Sequence, residues 1–201
     1  TLLGVTGSGK TEVYMSIIEE ALKLGKEAIM LVPEISLTPQ VVGKFISRFG
    51  DVVAVLHSKL SDTERYDEYR KITTGEAKIV IGTRSAIFVP FNNIGVIIID
   101  EEHTSSYKQE NHPRYNAKDI AILRSKYHKC PVVMGSATPS LESFARAGNK
   151  VYKLLVLSKR PSSSTMPNVE IIDMKEEVKK GNFILSDSLK SEIKEKLDRK
   201  E

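Results

Sequence analysis

Short apolar runs alternate with amphipathic stretches along most of the chain. The runs are rich in Val and Ile, and most are continuous; they occupy residues 28–32, 52–56, 78–81, 96–99, 132–134, 151–157 and 169–172. Continuous apolar runs are typical of strands that are buried on both faces of a parallel sheet. The pattern therefore predicts a strand at each run.

The stretches between the runs carry the signals of helix ends. Helices are predicted over residues 11–24, 39–49, from 62 onward and over 140–147. The signals are a Pro at a first helical position, a capping box and closing glycines, found at Pro39, Ser61–Glu64, Gly25, Gly50 and Gly148. The apolar face predicted for the first helix consists of Val13, Ile17, Ala21 and Leu24. Alternating strands and helices predict an α/β fold, a doubly wound and mostly parallel sheet with helices on both faces.

The pattern changes from Ser158 onward. Residues 158–167 are rich in turn formers and have no apolar period; after them come the predicted strand and a helix whose apolar side chains are Leu185, Leu189, Ile193 and Leu197. We predict one domain over residues 1–157, and a linker, strand and helix over 158–201 that lead toward a further lobe. Because the first residue is Thr1 and the first run is short, we expect the sequence to belong to a longer protein.

Composition excludes several classes of protein. With 201 residues, 40% hydrophobic residues and 12 glycines, the chain matches a globular protein rather than a disordered tail or a collagen-like fibre. No run approaches the ~18 apolar residues of a membrane span. The single cysteine excludes an intramolecular disulfide and a multi-cysteine zinc site. The net charge of +4 is compatible with a phosphate-rich partner but does not require one.

A phosphate-binding motif follows the first apolar residues. The pattern G-x-x-x-x-G-K-[ST] is matched in full by Gly4, Val5, Thr6, Gly7, Ser8, Gly9, Lys10 and Thr11. The glycines permit a close approach of backbone N–H groups to phosphate oxygens at the start of a helix. Lys10 is expected to reach the β- and γ-phosphates of ATP, and the Thr11 hydroxyl to bind Mg²⁺.

Three carboxylates and an imidazole follow the run at 96–99. The carboxyl ends of parallel strands form the edge where ligands bind, so these side chains are expected in the same site as the phosphate loop. We assign Asp100 to Mg²⁺, and Glu101 to the general base that accepts a proton from the attacking water. Glu102 has no role that the sequence indicates.

His103 ends this acidic segment and has a candidate partner in the chain. Residues 135–138, Gly-Ser-Ala-Thr, follow the run at 132–134 and bring two hydroxyls, Ser136 and Thr138, to the same edge. We expect His103 to form a hydrogen bond with this loop and so to report the nucleotide state. By itself, the loop is an ordinary strand-to-helix turn with Thr138 as the helix cap.

A phosphate loop that is followed along the chain by Asp-Glu-x-His and Ser-Ala-Thr motifs resembles the superfamily-two helicases. Within these, the segments at residues 4–14, 31–40, 82–88, 100–103, 106–110, 113–116 and 135–140 are similar to the PriA family of primosomal replication-restart helicases. The resemblance implies a RecA-like P-loop fold and an ATP- and Mg²⁺-dependent DNA helicase that moves 3′ to 5′. It also implies single-stranded and forked DNA and other primosome proteins as partners, no membrane, and a nucleoid-associated place in the bacterial cytoplasm.

The resemblance also assigns roles to residues outside these motifs. It implies an aromatic-rich loop that couples single-stranded DNA binding to ATP hydrolysis, formed by Tyr107, Lys108, Arg114 and Tyr115. Aromatic rings can stack on bases, and basic side chains can contact phosphates. It further implies contacts to the DNA backbone from Ser36, Thr38 and Arg84. For these three residues, a role in a turn or at a helix cap is the alternative.

Several parts of the family have no counterpart in this sequence. They are the upstream adenine-contacting segment, the DNA-binding and winged-helix regions, the zinc-binding cysteines and the second lobe with its arginine finger. We therefore expect zinc only in a longer protein, and weak ATP hydrolysis by the 201-residue chain alone. The alternatives are a UvrB-like repair ATPase, a small-molecule P-loop kinase, and a nucleotide- or DNA-binding module that does not hydrolyse ATP.

Overall fold

The computed structural model describes residues 1–159 and 169–199, and the chain divides into two compact units, Thr1–Ser163 and Ser164–Glu201. The strands are β1 (Leu2–Gly4), β2 (Glu27–Leu31), β3 (Val53–Leu56), β4 (Ile79–Gly82), β5 (Ile94–Ile99), β6 (Lys108–Gln109), β7 (Tyr115–Asn116), β8 (Val132–Ser136) and β9 (Leu155–Leu157). Seven of them form one sheet in the order β3-β4-β2-β5-β8-β1-β9, and β6 and β7 form a small antiparallel pair. Every pair in the large sheet is parallel, as the continuous apolar runs predict.

Two of the helices begin at the predicted start signals, Pro39 and Ser61. In the first unit they are α1 (Lys10–Lys23), α2 (Pro39–Phe49), α3 (Asp62–Thr73), α4 (Ala117–His128) and α5 (Leu141–Gly148). The Val41 N–H donates to Thr38 Oγ1 (3.4 Å) at the start of α2, and the predicted capping box is present at the start of α3. The second unit contains α6 (Met174–Lys179), which the sequence pattern did not reveal, and α7 (Asp187–Arg199).

Two apolar layers cover the two faces of the sheet. Along β2, Ala28 and Met30 belong to one cluster of buried side chains, whereas Ile29 and Leu31 belong to the other. Successive side chains of a strand point to opposite faces, so this division shows that both faces are covered. Helices α1 and α2 pack in the first cluster, and α3 and α4 in the second. The predicted doubly wound α/β fold is therefore confirmed.

Some local predictions are wrong. Residues 169–172 form no strand, and Val169 and Ile171 are 77% and 94% exposed. The run at 151–157 is a strand only over Leu155–Leu157. Leu24 does not belong to the buried face of α1, since it lies at the helix C-cap and is 73% exposed. Most of the predicted loop at 158–167 lies outside the described residues.

The start of α5 agrees with the predicted helix over 140–147 and not with the alternative cap at Thr138. Ser140, not Thr138, is the N-cap of this helix, and its hydroxyl accepts a hydrogen bond from the Ser143 N–H (3.3 Å). A single residue, Pro139, lies between Thr138 and the cap, and its ring fixes the backbone φ angle there. Among the described residues, no helix combines the length and apolar character needed to cross a bilayer.

Candidate nucleotide and nucleic-acid site

The strand order brings three of the sequence motifs to one edge of the sheet. Strands β5, β8 and β1 are neighbours and run parallel, so the loops that follow them leave the sheet side by side. These loops begin after Gly4, Ile99 and Ser136. Adjacent carboxyl ends of parallel strands are the usual position of a ligand site in such folds.

The phosphate loop has the backbone conformation that an anion cradle needs. Gly7 and Gly9 have φ angles of 78° and 90°, which are strained for residues with a side chain. A Cβ on Gly4 would lie 2.5 Å from Ser8 Oγ, and that buried hydroxyl has no hydrogen-bond partner. Lys10 Nζ donates to the Gly4 carbonyl (2.7 Å), so the ammonium group lies across the loop. An unpartnered buried hydroxyl and a basic side chain over open N–H groups fit a phosphate group.

A cleft of about 870 Å³ opens beside this loop. Thr6, Lys10, Thr11, Asp100 and Glu101 contribute to one part of its lining. The rest of the lining is basic or polar and comes largely from α2, namely Gln40, Gly43, Lys44, Ser47 and Arg48. Sequence reasoning missed this second wall, because nothing in the spacing of α2 shows that its polar face is turned toward the phosphate loop.

Thr11 and Asp100 are the residues that could hold Mg²⁺, and they line the same cleft. Mg²⁺ commonly binds through one or two protein oxygens together with phosphate oxygens, so these two ligands fit the ion. The described residues contain no cluster of three or more His, Cys, Asp or Glu side chains that would form a metal site without phosphate.

Tyr14 of α1 fixes the Asp100 carboxylate by a hydrogen bond. Its ring is fully buried in α1, and its hydroxyl donates to Asp100 Oδ1 (2.8 Å). A Cβ on Gly135 would overlap that hydroxyl, so the glycine of β8 makes room for the contact. Burial, and next the charge of Asp100, raise the pKa of Tyr14, which keeps the phenol protonated as a donor. Sequence reasoning missed this residue because a tyrosine at helical spacing reads as an ordinary core side chain.

Glu101 and His103 lie close together at the end of β5. Glu101 Oε2 is 3.5 Å from His103 Nδ1, and the same nitrogen is 2.8 Å from Ser136 Oγ. The predicted contact between His103 and the Gly-Ser-Ala-Thr loop is therefore present. Thr138 contributes its backbone N–H, which donates to Ser136 Oγ (2.9 Å).

Glu102 is the residue of this segment for which the sequence indicated no role, and it is fully buried. Its carboxylate accepts hydrogen bonds from the Ser140 N–H (2.7 Å), the Ser143 hydroxyl (3.0 Å) and Lys118 Nζ (3.2 Å). Burial by itself would raise the pKa of Glu102, but the bond from Ser140 and the nearby ammonium of Lys118 outweigh it and leave the pKa lowered. A charged carboxylate thus joins the Asp100–His103 turn to helices α4 and α5.

The predicted aromatic loop forms the β6–β7 pair, and its two tyrosines differ. Tyr107 is 1% exposed, and its hydroxyl donates to the Asp100 carbonyl (2.6 Å) and to the Leu31 carbonyl (3.1 Å). The expectation that the Tyr107 ring stacks on bases is wrong for this conformation, because the ring is enclosed in the core. Tyr115 is half-buried and lies edge-on to the exposed ring of Phe88, with 4.9 Å between ring centroids.

Arg84 contacts this loop instead of leaving its guanidinium open to solvent. It donates to the carbonyls of Ser106 (3.2 Å) and Lys108 (2.9 Å), and it lies 6.0 Å from the centroid of the Tyr115 ring. A contact between Arg84 and a DNA phosphate stays a prediction, since these hydrogen bonds already use part of the N–H groups of its guanidinium. Arg114 donates to the Glu110 carbonyl (3.0 Å), and the Lys108 side chain is exposed.

The other two expected backbone contacts lie after β2. Ser36 ends a 3₁₀ turn over Glu34–Ser36, and the Thr38 hydroxyl is engaged as the N-cap of α2. The helix-cap alternative therefore describes Thr38 in this structure. A second cavity of about 490 Å³ begins nearby, after β2, β3 and β4, with Arg65, Tyr69 and Arg84 among the residues of its lining.

Comparison with known proteins agrees with this geometry. The sequence model of the DEAD/DEAH box helicase family matches residues 1–147. The chain is 62% identical over 181 residues to the replication restart protein PriA of Bacillus subtilis, and 53% identical over 180 residues to that of Chlamydia trachomatis. These alignments cover 90% and 89% of this chain but only 22% and 24% of the relatives, so the chain spans about a quarter of their length or less.

A solved structure is similar in fold. RecG bound to a three-way DNA junction superposes with a TM-score of 0.57 and 26% sequence identity, over 82% of this chain and 21% of that one. The RecA-like α/β architecture and the motif resemblance seen in the sequence are both confirmed. The chain belongs to the DEAD/DEAH box helicase family.

Proposed function

We propose that this chain is the ATP-binding first lobe of a DNA helicase that acts in replication restart. The observation that carries the proposal is the shared cleft, in which the phosphate loop, Asp100 and Glu101 face one space. We infer that residues 1–157 form the lobe and that 158–201 lead toward a second one. By likeness to the PriA relatives, we further propose 3′-to-5′ movement, primosome partners and a place in the bacterial cytoplasm near the nucleoid.

Each residue of the cleft has a distinct task in this proposal. Lys10 leaves the Gly4 carbonyl to bind the β- and γ-phosphates, and the loop N–H groups bind the remaining phosphate oxygens. Thr11 and Asp100 hold Mg²⁺, with Tyr14 fixing one carboxylate oxygen of Asp100. ATP with Mg²⁺, when bound, supplies the phosphoanhydride bond that is hydrolysed. Glu101 takes the proton of the attacking water, and His103 links that position to Ser136.

DNA binding is proposed on the surface formed by the aromatic loop and the cavity beside Arg84. Lys108 and Arg114 are placed to contact phosphates, and the exposed rings of this surface, Phe88 with part of Tyr115, can stack on bases. The RecG relative, which was solved on a DNA junction, supports this assignment. Coupling to ATP follows from Tyr107, because its hydroxyl bonds to the carbonyl of Asp100.

The decisive experiment measures the ATPase rate with and without single-stranded DNA, for the 201-residue chain and for the full-length protein. We expect DNA-stimulated turnover in the full-length protein and little in the 201-residue chain, because the arginine finger of a second lobe contributes roughly 10³–10⁵ in rate. Strong DNA-stimulated turnover by the 201-residue chain alone would contradict the assignment as half of a motor. Absence of ATP turnover in both proteins would leave a nucleotide- or DNA-binding module.

Two variants of the full-length protein separate binding from chemistry. Glu101→Gln should keep ATP affinity and lose hydrolysis, whereas Lys10→Ala should weaken ATP binding itself. Both are measured by titration of a fluorescent ATP analogue alongside turnover. Wild-type hydrolysis by Glu101→Gln would remove Glu101 from the role of the base.

A second pair of variants tests the coupling. Tyr107→Phe removes only the hydroxyl that contacts Asp100, so DNA affinity should persist while DNA stimulation of the ATPase falls. Tyr115→Ala should instead weaken DNA binding, since its ring belongs to the loop surface. If Tyr107→Phe retained full stimulation by DNA, the proposed coupling contact would be wrong.

A further inference from the structure

Glu101 has a backbone conformation that its surroundings must impose. Its φ angle is 46°, in the left-handed region that residues with a Cβ rarely adopt. Such a conformation persists only where neighbouring structure determines it, and it is found preferentially at functional sites. The turn therefore needs anchors on both sides of Glu101.

The residue before Glu101 is held by two contacts of its backbone. The Asp100 N–H donates to the Leu31 carbonyl (2.9 Å), and the Asp100 carbonyl accepts the hydroxyl of Tyr107 (2.6 Å). These bonds tie the end of β5 to β2 and to the aromatic loop. On its other side, the Glu101 carbonyl accepts the Thr104 N–H (3.0 Å), so the turn also depends on how the residues after Glu101 are held.

The residue after Glu101 supplies the second anchor. The Glu102 N–H donates to the Gly135 carbonyl (3.1 Å), and its buried side chain accepts from donors on two helices, α4 and α5. Besides the bonds already described, the Ser140 hydroxyl lies 3.1 Å from Glu102 Oε2. A buried carboxylate is costly away from such donors, so the Glu102 side chain has one favourable position.

We propose that Glu102 is a positioning residue for ATP hydrolysis, which holds Glu101 in its left-handed conformation and keeps the Glu101 carboxylate in the nucleotide cleft. This inference rests on the proposed function, in which Glu101 is the general base. Glu102 itself lies outside the lining of the cleft, so it acts through Glu101 and not on the nucleotide.

Glu102→Gln in the full-length protein is the principal test. The amide keeps the size of the side chain but loses the charge that faces Lys118. We expect kcat to fall roughly 10- to 100-fold, the range for a displaced catalytic group, while KM and the affinity for a fluorescent ATP analogue change less than about twofold. Glu177→Gln is the matched control, because it removes the charge of another buried carboxylate that makes none of the contacts of the Asp100–His103 turn.

A double substitution distinguishes positioning from simple stabilisation. In a Glu101→Gln background, Glu102→Gln should cause no further loss of the residual rate, because the group it positions is already gone. An additive loss would overturn the inference. Wild-type activity of Glu101→Gln alone would instead overturn the proposed role of Glu101, and the inference with it.

Hydrogen exchange in the absence of nucleotide gives a readout that does not depend on activity. Glu102→Gln should speed the exchange of the backbone amides at residues 101–104 as well as those at 140–144. If Glu102→Gln does not fold, Lys118→Met removes the same charge pairing and carries the same test. Faster exchange confined to 140–144, with kcat unchanged, would show that Glu102 only stabilises the start of α5 and would overturn the proposal.

Discussion

Glu102 in the first unit and Glu177 in the second are buried carboxylates that accept almost the same set of hydrogen bonds. Each accepts from a backbone N–H at the start of a helix, Ser140 (2.7 Å) for Glu102 and Asp187 (2.8 Å) for Glu177. Each also faces a lysine, at 3.2 Å and 2.8 Å respectively. The third donor is the hydroxyl of Ser143 in one case and the amide of Asn182 in the other.

The two carboxylates differ in how far along the chain their partners lie. The partners of Glu102 are 16 to 41 residues away, on α4 and α5. Those of Glu177 are three to ten residues away, at the C-cap of α6, in the following turn and at the start of α7. The first carboxylate therefore joins elements that are distant in sequence and meet at the sheet. The second instead connects α6, the turn after it and the start of α7.

The surroundings of the two carboxylates differ as well. Glu102 lies beside a core of buried side chains that continues through β5 and α4. By contrast, Leu185 before α7 and three apolar side chains of α7 are at least 39% exposed; the three are Leu189, Ile193 and Leu197. The same set of hydrogen bonds to a buried carboxylate thus fixes the Asp100–His103 turn in one unit and holds together a small unit with little apolar burial in the other.

Replacement of Glu102 should have the largest effect on stability. Glu102→Ala leaves the Ser140 N–H without its acceptor and Lys118 without its counter-charge, so we expect the free energy of unfolding to fall by about 2–4 kcal/mol. Urea unfolding followed by far-UV circular dichroism measures it. The control is Glu110→Ala, an exposed carboxylate whose loss should cost less than about 0.5 kcal/mol. Equal stability of the two variants would show that the buried contacts of Glu102 contribute nothing to the free energy of unfolding.

Replacement of Glu177 should have a smaller and more local effect. Because its partners lie within ten residues, Glu177→Ala should speed hydrogen exchange in α6 and α7 while the amides of β2 and β5 keep wild-type protection. Peptide-resolved exchange at neutral pH tests this. Loss of protection in β5 would contradict the local character of the Glu177 contacts.

Low pH should reduce the stability of the second unit through protonation of the Glu177 carboxylate. The hydrogen bond from Lys180, followed by that from the Asp187 N–H, lowers the pKa of Glu177 from 4.5 to about 2. A carboxyl whose pKa is lower in the folded state contributes its full stability above pH 4.5 and loses it as the pH falls from 4.5 toward 2. Helicity of α6 and α7 should therefore decline in this range, and Glu177→Gln should flatten that part of the titration. Superimposable pH profiles would rule this contribution out.

The sequence was most informative where structure depends on local signals. Glycines and Lys10 mark the phosphate loop, and Ser61 marks the start of α3, because a few adjacent residues determine those conformations. The order of the strands brought His103 to Ser136, as expected from two strand ends at one edge. The sequence did not show that Tyr107 is buried or that Glu102 is paired. Burial of either side chain depends on elements that meet only in the folded sheet.

The smallest expected effects come from the two helix starts, Ser140 of α5 and Ser186 before α7. The Ser186 hydroxyl accepts the Leu189 N–H (3.1 Å), just as Ser140 accepts that of Ser143. Loss of a capping hydroxyl costs about 1 kcal/mol, so each alanine variant should lose about that much helix stability. Ser140→Ala should lose about 0.5–1 kcal/mol more, because its hydroxyl also contacts Glu102.

A double-mutant cycle makes this last comparison decisive. In a Glu102→Ala background, the extra cost of Ser140→Ala over Ser186→Ala should disappear, since the contact responsible for it is already absent. Urea unfolding reports the Ser140 variants, and hydrogen exchange of the α7 amides reports Ser186→Ala. If Ser140→Ala still cost more than Ser186→Ala in the Glu102→Ala background, Ser140 would stabilise α5 by capping alone. The resemblance between the two carboxylates would then extend to their backbone donors but not to the serines beside them.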